Sequence, residues 1–371
     1  MPKTVCSLFA FFFCLTAFAQ HKTENVIVVM SDGLRWQEIF AGADATLLQS
    51  AITSPSKDSS LGNGKARAEA AKAAYWRDTS AARREALTPF LWSEVAKHGQ
   101  LYGNRELGSD AQVTNGLDFS YPGYSETLTG IADPRIDSND KVPNPNATVF
   151  EWLNKKPAFT GRVAAFGAWD VFSSIFNAQR AGFLVNDGYT PLVIDPSTPQ
   201  LDLLNHLKAE TPRVWSDEPF DALPFYSAIE YVKQKKPRAL FIGLGETDDW
   251  AHGNDYPEYL NAAHRVDSYL KTLWDLLQSM PEYQGKTTLI VTADHGRGNG
   301  AKWTDHGQKA PESSQIWMAF LGPDIAPLGE RAHTSPVTQN QIAATLAALL
   351  GEDYRAEVPR AGAAIADVLP K

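Results

Sequence analysis

The run Asn25-Val26-Ile27-Val28-Val29-Met30-Ser31-Asp32-Gly33 is apolar and rich in β-branched residues until it breaks at an Asp-Gly pair. Such a stretch reads as a strand buried on both faces, which is the habit of parallel sheets covered by helices. Two later stretches repeat the pattern. Ala239 to Leu244 precedes Thr247-Asp248-Asp249-Trp250-Ala251-His252, and Thr287 to Thr292 precedes Ala293-Asp294-His295-Gly296. Each delivers acidic and histidine residues at the carboxyl end of a strand, where open α/β sheets place their ligands. Further strands are expected at Arg162 to Phe166 and Ile316 to Leu321. Helices are expected at Leu91 to Lys97, Ser125 to Ile131, Thr148 to Leu153, Glu258 to Met280 and Gln339 to Leu350, the last closed by Gly351. Alternating strands and helices predict an α/β fold, a mainly parallel sheet sandwiched between helices.

The chain has 371 residues, 43% of them hydrophobic, enough for a large core. Residues 1–19 carry Lys3, an apolar stretch from Val5 to Phe18 and a small-residue end at Ala17-Phe18-Ala19, the layout of a secretory leader cleaved near Ala19. The stretch is short for a membrane span, so none is expected in the mature chain. Both cysteines, Cys6 and Cys14, lie in the leader, which leaves neither disulfides nor thiolate ligands afterwards. The formal charge of −9 becomes −10 on its removal, because the leader holds one lysine and no acid. That acidity argues against binding a nucleic acid polymer. Residues 20–371 read as a single domain with surface insertions near 44–88 and 170–236. Within the first, Ala66 to Ala86 suits an exposed helix; the second, rich in aromatics, Asn, Gly and Pro, is expected to cap the site.

Aspartate with neutral imidazole suits a borderline dication, and a Cys-free Asp/His set is more often catalytic than structural. Asp248 and His252 are four apart, so one turn can aim both at one ion. Asp294 and His295 converge only if the backbone bends, a freedom expected from Gly296. His306 closes the set. Zinc is the favoured ion, with Mn²⁺ or Fe also compatible.

In motif order these residues resemble the alkaline phosphatase superfamily of metallohydrolases, particularly its nucleotide pyrophosphatase/phosphodiesterase-like branch. The resemblance spans most of the chain, although only short stretches match in detail. That branch pairs an early strand-end Asp with a T-F-P-N nucleophile motif and a T-G dipeptide, then D-x-x-x-H, D-H-G and a last His. Here Ser120-Tyr121-Pro122-Gly123 precedes Thr129-Gly130 at the same spacing, so Ser120 takes the nucleophile's place. The resemblance implies an alkaline phosphatase-like catalytic domain and two divalent metal ions. It puts one ion on Asp248, His252 and His306, and the other on Asp32, Ser120, Asp294 and His295. It also implies a phosphoseryl intermediate, cleaved by water activated on the histidine-rich side. An Asn about twenty residues past the nucleophile holds a phosphoryl oxygen in that branch; Asn139 stands near that distance.

Chemistry also favours Ser120. A serine hydroxyl is a weak nucleophile at neutral pH, and no histidine lies near it in sequence, so metal coordination is the available activation. Pro122 and Gly123 are expected to form a tight bend before a helix whose amides face a bound anion. Ser125 is the alternative nucleophile. Gly123 departs from the branch, which has Asn there. The Arg that sulfatases need for maturation is replaced by Tyr124, which disfavours a sulfatase, and the leader argues against the cytoplasmic mutases. Arg297, directly after Asp294-His295-Gly296, is a candidate for the second charge of a phosphate monoester; Lys302 and Arg35 are weaker ones.

The expected function is therefore a periplasmic or secreted two-metal phosphohydrolase acting on a small phosphate ester. Monoesters are slightly favoured through Arg297, with phosphodiesters or nucleotide pyrophosphates as the alternative. A reading of another class is a non-catalytic, metal-retaining binding module. It expects saturable binding without turnover.

Overall fold

The computed structural model describes residues 22–54 and 62–370. The expected leader, its expected cleavage near Ala19 and both cysteines lie outside the described residues. Among the described residues there are eleven strands: β1 Asn25–Ser31, β2 Gln100–Tyr102, β3 Ala111–Gln112, β4 Val163–Gly167, β5 Leu184–Asp187, β6 Ala239–Leu244, β7 Thr287–Thr292, β8 Gln315–Ile316, β9 Met318–Leu321, β10 Gly329–Glu330 and β11 Val337–Thr338. Eight form one sheet in the order β10-β2-β9-β7-β1-β6-β4-β5. Only β9 runs against its neighbours, so the sheet is mainly parallel, as expected. The other three strands make a small separate sheet.

β1 is central, with all seven residues buried. It pairs with β6 and β7 in parallel, Met30 opposite Gly243 on one side and Thr292 on the other. The three strands whose sequence predicted the site are therefore adjacent and end at one level. Helices line both faces. The longest, Tyr256–Ser279, is capped by the Asp255 carboxylate and buries a stripe that includes Leu260, Ala263, Val266, Leu270, Leu273 and Leu277. That stripe has the spacing read from the sequence. No helix among the described residues is long and apolar enough to cross a membrane.

Three expectations change in detail. The helix expected over Ala66 to Ala86 is two helices, Gly64–Tyr75 and Ser80–Leu87, because Thr79 caps a new start through the Ala82 amide. The first is not fully exposed: Ala68, Ala71 and Tyr75 are buried, and Arg67 pairs with Asp255 at 2.7 Å. The helix expected from Ser125 begins five residues earlier, as Ser120–Thr129, and all ten residues are buried. Pro122 sits in its first turn, where a missing N–H costs no helical bond, so Pro122 and Gly123 continue the helix rather than forming a bend. Finally, the stretch 170–236 supplies β5 to the sheet edge and helix Ala222–Lys235, which packs on β4 and β6. Much of it is layer rather than cap.

Candidate metal centre

Side-chain chemistry collects where β6, β1 and β7 end. Asp32 follows β1, Asp294 and His295 follow β7, and Asp248 and His252 lie on the short helix Glu246–His252 after β6. That helix has no side-chain cap of its own residues. Asp221, from the stretch expected as an insertion, instead accepts from the Gly245 and Glu246 amides at 2.7 and 3.3 Å. The turns are also tied to each other, with Ser31 Oγ 2.8 Å from Thr247 Oγ1 and the Gly33 amide donating to Asp294 Oδ1 at 3.1 Å.

Each carboxylate has one oxygen held by protein and the other turned inward. Tyr124 donates to Asp32 Oδ2 at 3.2 Å, Gly33 holds Asp294 Oδ1, and Arg297 pairs with Asp248 Oδ1. Asp32 Oδ1 and Asp294 Oδ2 are enclosed without any hydrogen-bond partner. Both point toward His295 Nε2, at 3.1 and 3.5 Å, and Ser120 Oγ is 3.4 Å from the same nitrogen. His295 Nδ1 donates to the Gly296 carbonyl at 2.8 Å, which fixes the ring and leaves Nε2 as the ligand atom. Two buried, unpaired carboxylate oxygens at one point are costly unless a cation joins them. A borderline dication fits this donor set.

A second group adjoins the first. His252 Nε2 is 3.0 Å from both Asp248 Oδ2 and His306 Nε2, and His306 Nε2 is 3.9 Å from Asp248 Oδ1. His295 stacks on His306 with ring centres 4.1 Å apart, and its Nε2 is also 3.9 Å from Asp248 Oδ1. Ligand atoms of Asp32, Asp294 and His295 form one compact set, and those of Asp248, His295 and His306 another. His295 thus lies between the groups rather than in one alone, and half-exposed His252 forms the rim.

Charge is organised by this crowding. Burial, and then the neighbouring Asp32, push the Asp294 carboxyl well above its usual range. Burial also pushes Asp248 up, but the Arg297 guanidinium with His252 and His306 outweighs it and holds Asp248 well below. Burial lowers His295, yet Asp294, Asp32 and Asp248 raise it to about 10. Burial and the adjacent His295 push His306 down to about 2.

Asn139 accepts from the Tyr121 amide at 2.9 Å through Oδ1, so it reaches the first turn of the serine's helix, and its amide group is oriented by that bond. Ser125 lies one turn further along the same buried helix, where its hydroxyl accepts from Asn144 at 3.0 Å. Arg297 is partnered within the protein. Its side chain is fully buried, with Nε donating to the Trp303 carbonyl at 3.0 Å, Nη1 on Asp248 and Nη2 on the Thr304 carbonyl. The guanidinium thus lies against the candidate ligands Asp248 and His252, with its nitrogens taken up by protein contacts. Arg35 is likewise buried on Glu38, and Lys302 is exposed.

Four site neighbours were missed in the sequence. Besides Asp221 and Tyr124, these are Asp118 and Glu218. Asp118 has φ of 56° and an enclosed, unpartnered Oδ1, a strained position of the kind found at functional sites; a buried Asp so near the candidate Ser was the available signal. Glu218 carries no motif. Gly296 also departs from its expected role. It is absent from the left-handed residues, and a Cβ on it would stand 2.1 Å from the Gln315 carbonyl oxygen. Close packing, not backbone freedom, demands glycine there.

A family model described as type I phosphodiesterase / nucleotide pyrophosphatase matches residues 65–347. The chain belongs to this family. The type I phosphodiesterase / nucleotide pyrophosphatase assignment makes it a metal-dependent phosphoester hydrolase and replaces the reading of a non-catalytic module. Solved structures agree in fold. The alkaline phosphatase PafA is 11% identical with a TM-score of 0.60, covering 94% of this chain and 99% of its own. The lipoteichoic acid synthase LtaP from Listeria monocytogenes is 12% identical with a TM-score of 0.52, covering 90% and 73%. A putative sulfatase from Bacteroides thetaiotaomicron is 13% identical with a TM-score of 0.54, covering 92% and 74%. No curated protein matches the chain significantly by sequence.

Proposed function

We propose that this family member cleaves small phosphate esters through attack of Ser120 Oγ on phosphorus, in line with the departing alcohol, followed by hydrolysis of the phosphoseryl group. The observation that carries the proposal is the convergence of Ser120 Oγ, Asp32 Oδ1 and Asp294 Oδ2 on His295 Nε2. Asp32, Asp294 and His295 would hold one divalent ion beside the serine; Asp248, His252 and His306 would hold a second, with zinc preferred to Mn²⁺ or Fe. When bound, such a pair lowers the hydroxyl's pKa and neutralises charge on the phosphoryl and leaving oxygens. Helix Ser120–Thr129 fixes the nucleophile in its first turn, Asn139 braces that turn, and Tyr124 orients Asp32.

We propose diesters rather than monoesters as substrates. A monoester's second charge needs a cationic partner, and Arg297 and Arg35 are both buried in protein contacts. The other titratable neighbours, Asp118, Glu218 and Asp249, are acids whose carboxyls burial pushes up, and none supplies a positive charge. The apolar leader supports export, with action in the periplasm or outside the cell. A side-by-side assay of aryl phosphate, bis-aryl phosphate and aryl sulfate on zinc-loaded protein tests the reading. Bis-aryl phosphate should be cleaved best, EDTA should abolish cleavage, and Ser120→Ala should remove it while metal content stays near two. Turnover surviving Ser120→Ala would overturn the assignment.

A further inference from the structure

We infer that Arg297 makes the two metal half-sites unequal, so that the Asp32/Asp294/His295 half fills first and tightly, and the Asp248/His252/His306 half loads weakly and reversibly. The inference rests on the two-ion reading above and concerns how the ions are held.

Count the charge on each side. The first half has two carboxylates, Asp32 and Asp294, fully enclosed with His295, and each has an inward oxygen without a hydrogen-bond partner. The second half has one carboxylate, Asp248, and the Arg297 guanidinium is in direct contact with it. With the carboxylates as donors, a dication meets two of them in the first half and, in the second, one that is already paired with a guanidinium. Asp249 and Glu218 do not restore the balance, because each acts on both Asp32 and Asp248.

Geometry prevents Arg297 from withdrawing when an ion arrives. Its side chain has no exposure, and the Trp303 and Thr304 carbonyls hold Nε and Nη2. Leaving them would strand a buried guanidinium and two buried acceptors, which is expensive. The same carbonyls lie just before His306, so Arg297 also positions the loop that carries this ligand. Arg297 takes Asp248 Oδ1 and leaves Oδ2, 3.0 Å from His252, as the oxygen for an ion. His252 is 51% exposed, so this half opens to solvent and exchanges its ion readily. Arg297 is thus a positioning residue that makes occupancy of the second half, and with it turnover, follow the free metal concentration.

The test is a titration of metal-free protein with Zn²⁺ against a chromophoric chelator, paired with Co²⁺ absorption spectra. Wild type should bind two ions in steps at least about tenfold apart, given the charge difference, and His252→Ala should lose the weaker step alone. Arg297→Gln keeps donors for the carbonyls but removes the charge; it should tighten the weaker step about tenfold and leave the stronger within about threefold. Arg297→Lys should keep the wild-type separation. Equal steps in wild type would overturn the inference while leaving the two-ion site standing. So would an unchanged or weakened second step in Arg297→Gln whose circular dichroism and metal-free unfolding temperature match wild type. Uptake of no ion by wild type would overturn the two-ion reading itself.

Discussion

Gly123 shows how closely the site is built at the residue scale. A Cβ there would lie 2.3 Å from the Asp294 carbonyl oxygen, so the Asn that the branch carries at this position has no room in this backbone. Gly123→Ala should cost about 1–3 kcal/mol of stability through overpacking and lower turnover more than Km, because the clash shifts Ser120 against Asp294. Thermal unfolding and steady-state kinetics check both halves. Asn139→Ala should leave the Tyr121 amide without its acceptor and cost about 1 kcal/mol, with kcat reduced about tenfold; an unaltered kcat would show that the brace is irrelevant to chemistry. That Asp32, Asp248, His252, Asp294 and His295 would meet was legible, because short contiguous motifs carry them just after β1, β6 and β7. Arg297 was not. A charged side chain's direction is decided by which buried carbonyls and carboxylates it finds, and Trp303, Thr304 and Asp248 become its partners only in the folded chain.

Among elements, β1, β6 and β7 were read correctly because burial on both faces writes itself as continuous apolar sequence. The start of helix Ser120–Thr129 was misread, since Pro122-Gly123 has the composition of a turn and only the extended Phe119 before it marks the true boundary. β5 was hidden too, as a four-residue edge strand of Leu184, Val185, Asn186 and Asp187 has too little alternation to stand out. Its end is tied to helix Pro199–Glu210 by Lys208, whose ammonium donates to Asn186 Oδ1 and the Thr190 carbonyl, both at 3.0 Å. Burial lowers this lysine from 10.5 to about 8. Between those values the unfolded chain binds the extra proton, so stability should rise with pH from about 8 to 10.5. The gain is at most about 3 kcal/mol for a shift of that size. Denaturant unfolding of wild type and Lys208→Met across this range checks it: the rise should be missing from the variant.

For the whole molecule, the sheet brings residues from 32 to 306 to a single edge, so metal and fold are linked. Ions that bind only the folded chain stabilise it by about 4 kcal/mol at a thousandfold excess over Kd, or roughly 5 °C for a chain of this size. Stripping metal should lower the unfolding temperature by that order, and Zn²⁺ should restore it. Scanning calorimetry with and without EDTA decides; an unchanged midpoint would mean that the buried carboxylates are satisfied without an ion.

The contact at Gly123 reaches beyond stability. Helix Ser120–Thr129 rests on the backbone of Asp294, so the floor beneath the nucleophile cannot be reshaped by exchanging side chains. Inherited change in what this enzyme accepts must therefore arise outside residues 120–129, at positions that can vary without disturbing that contact. A laboratory selection for new esters should accumulate its substitutions there and leave residues 120–129 untouched.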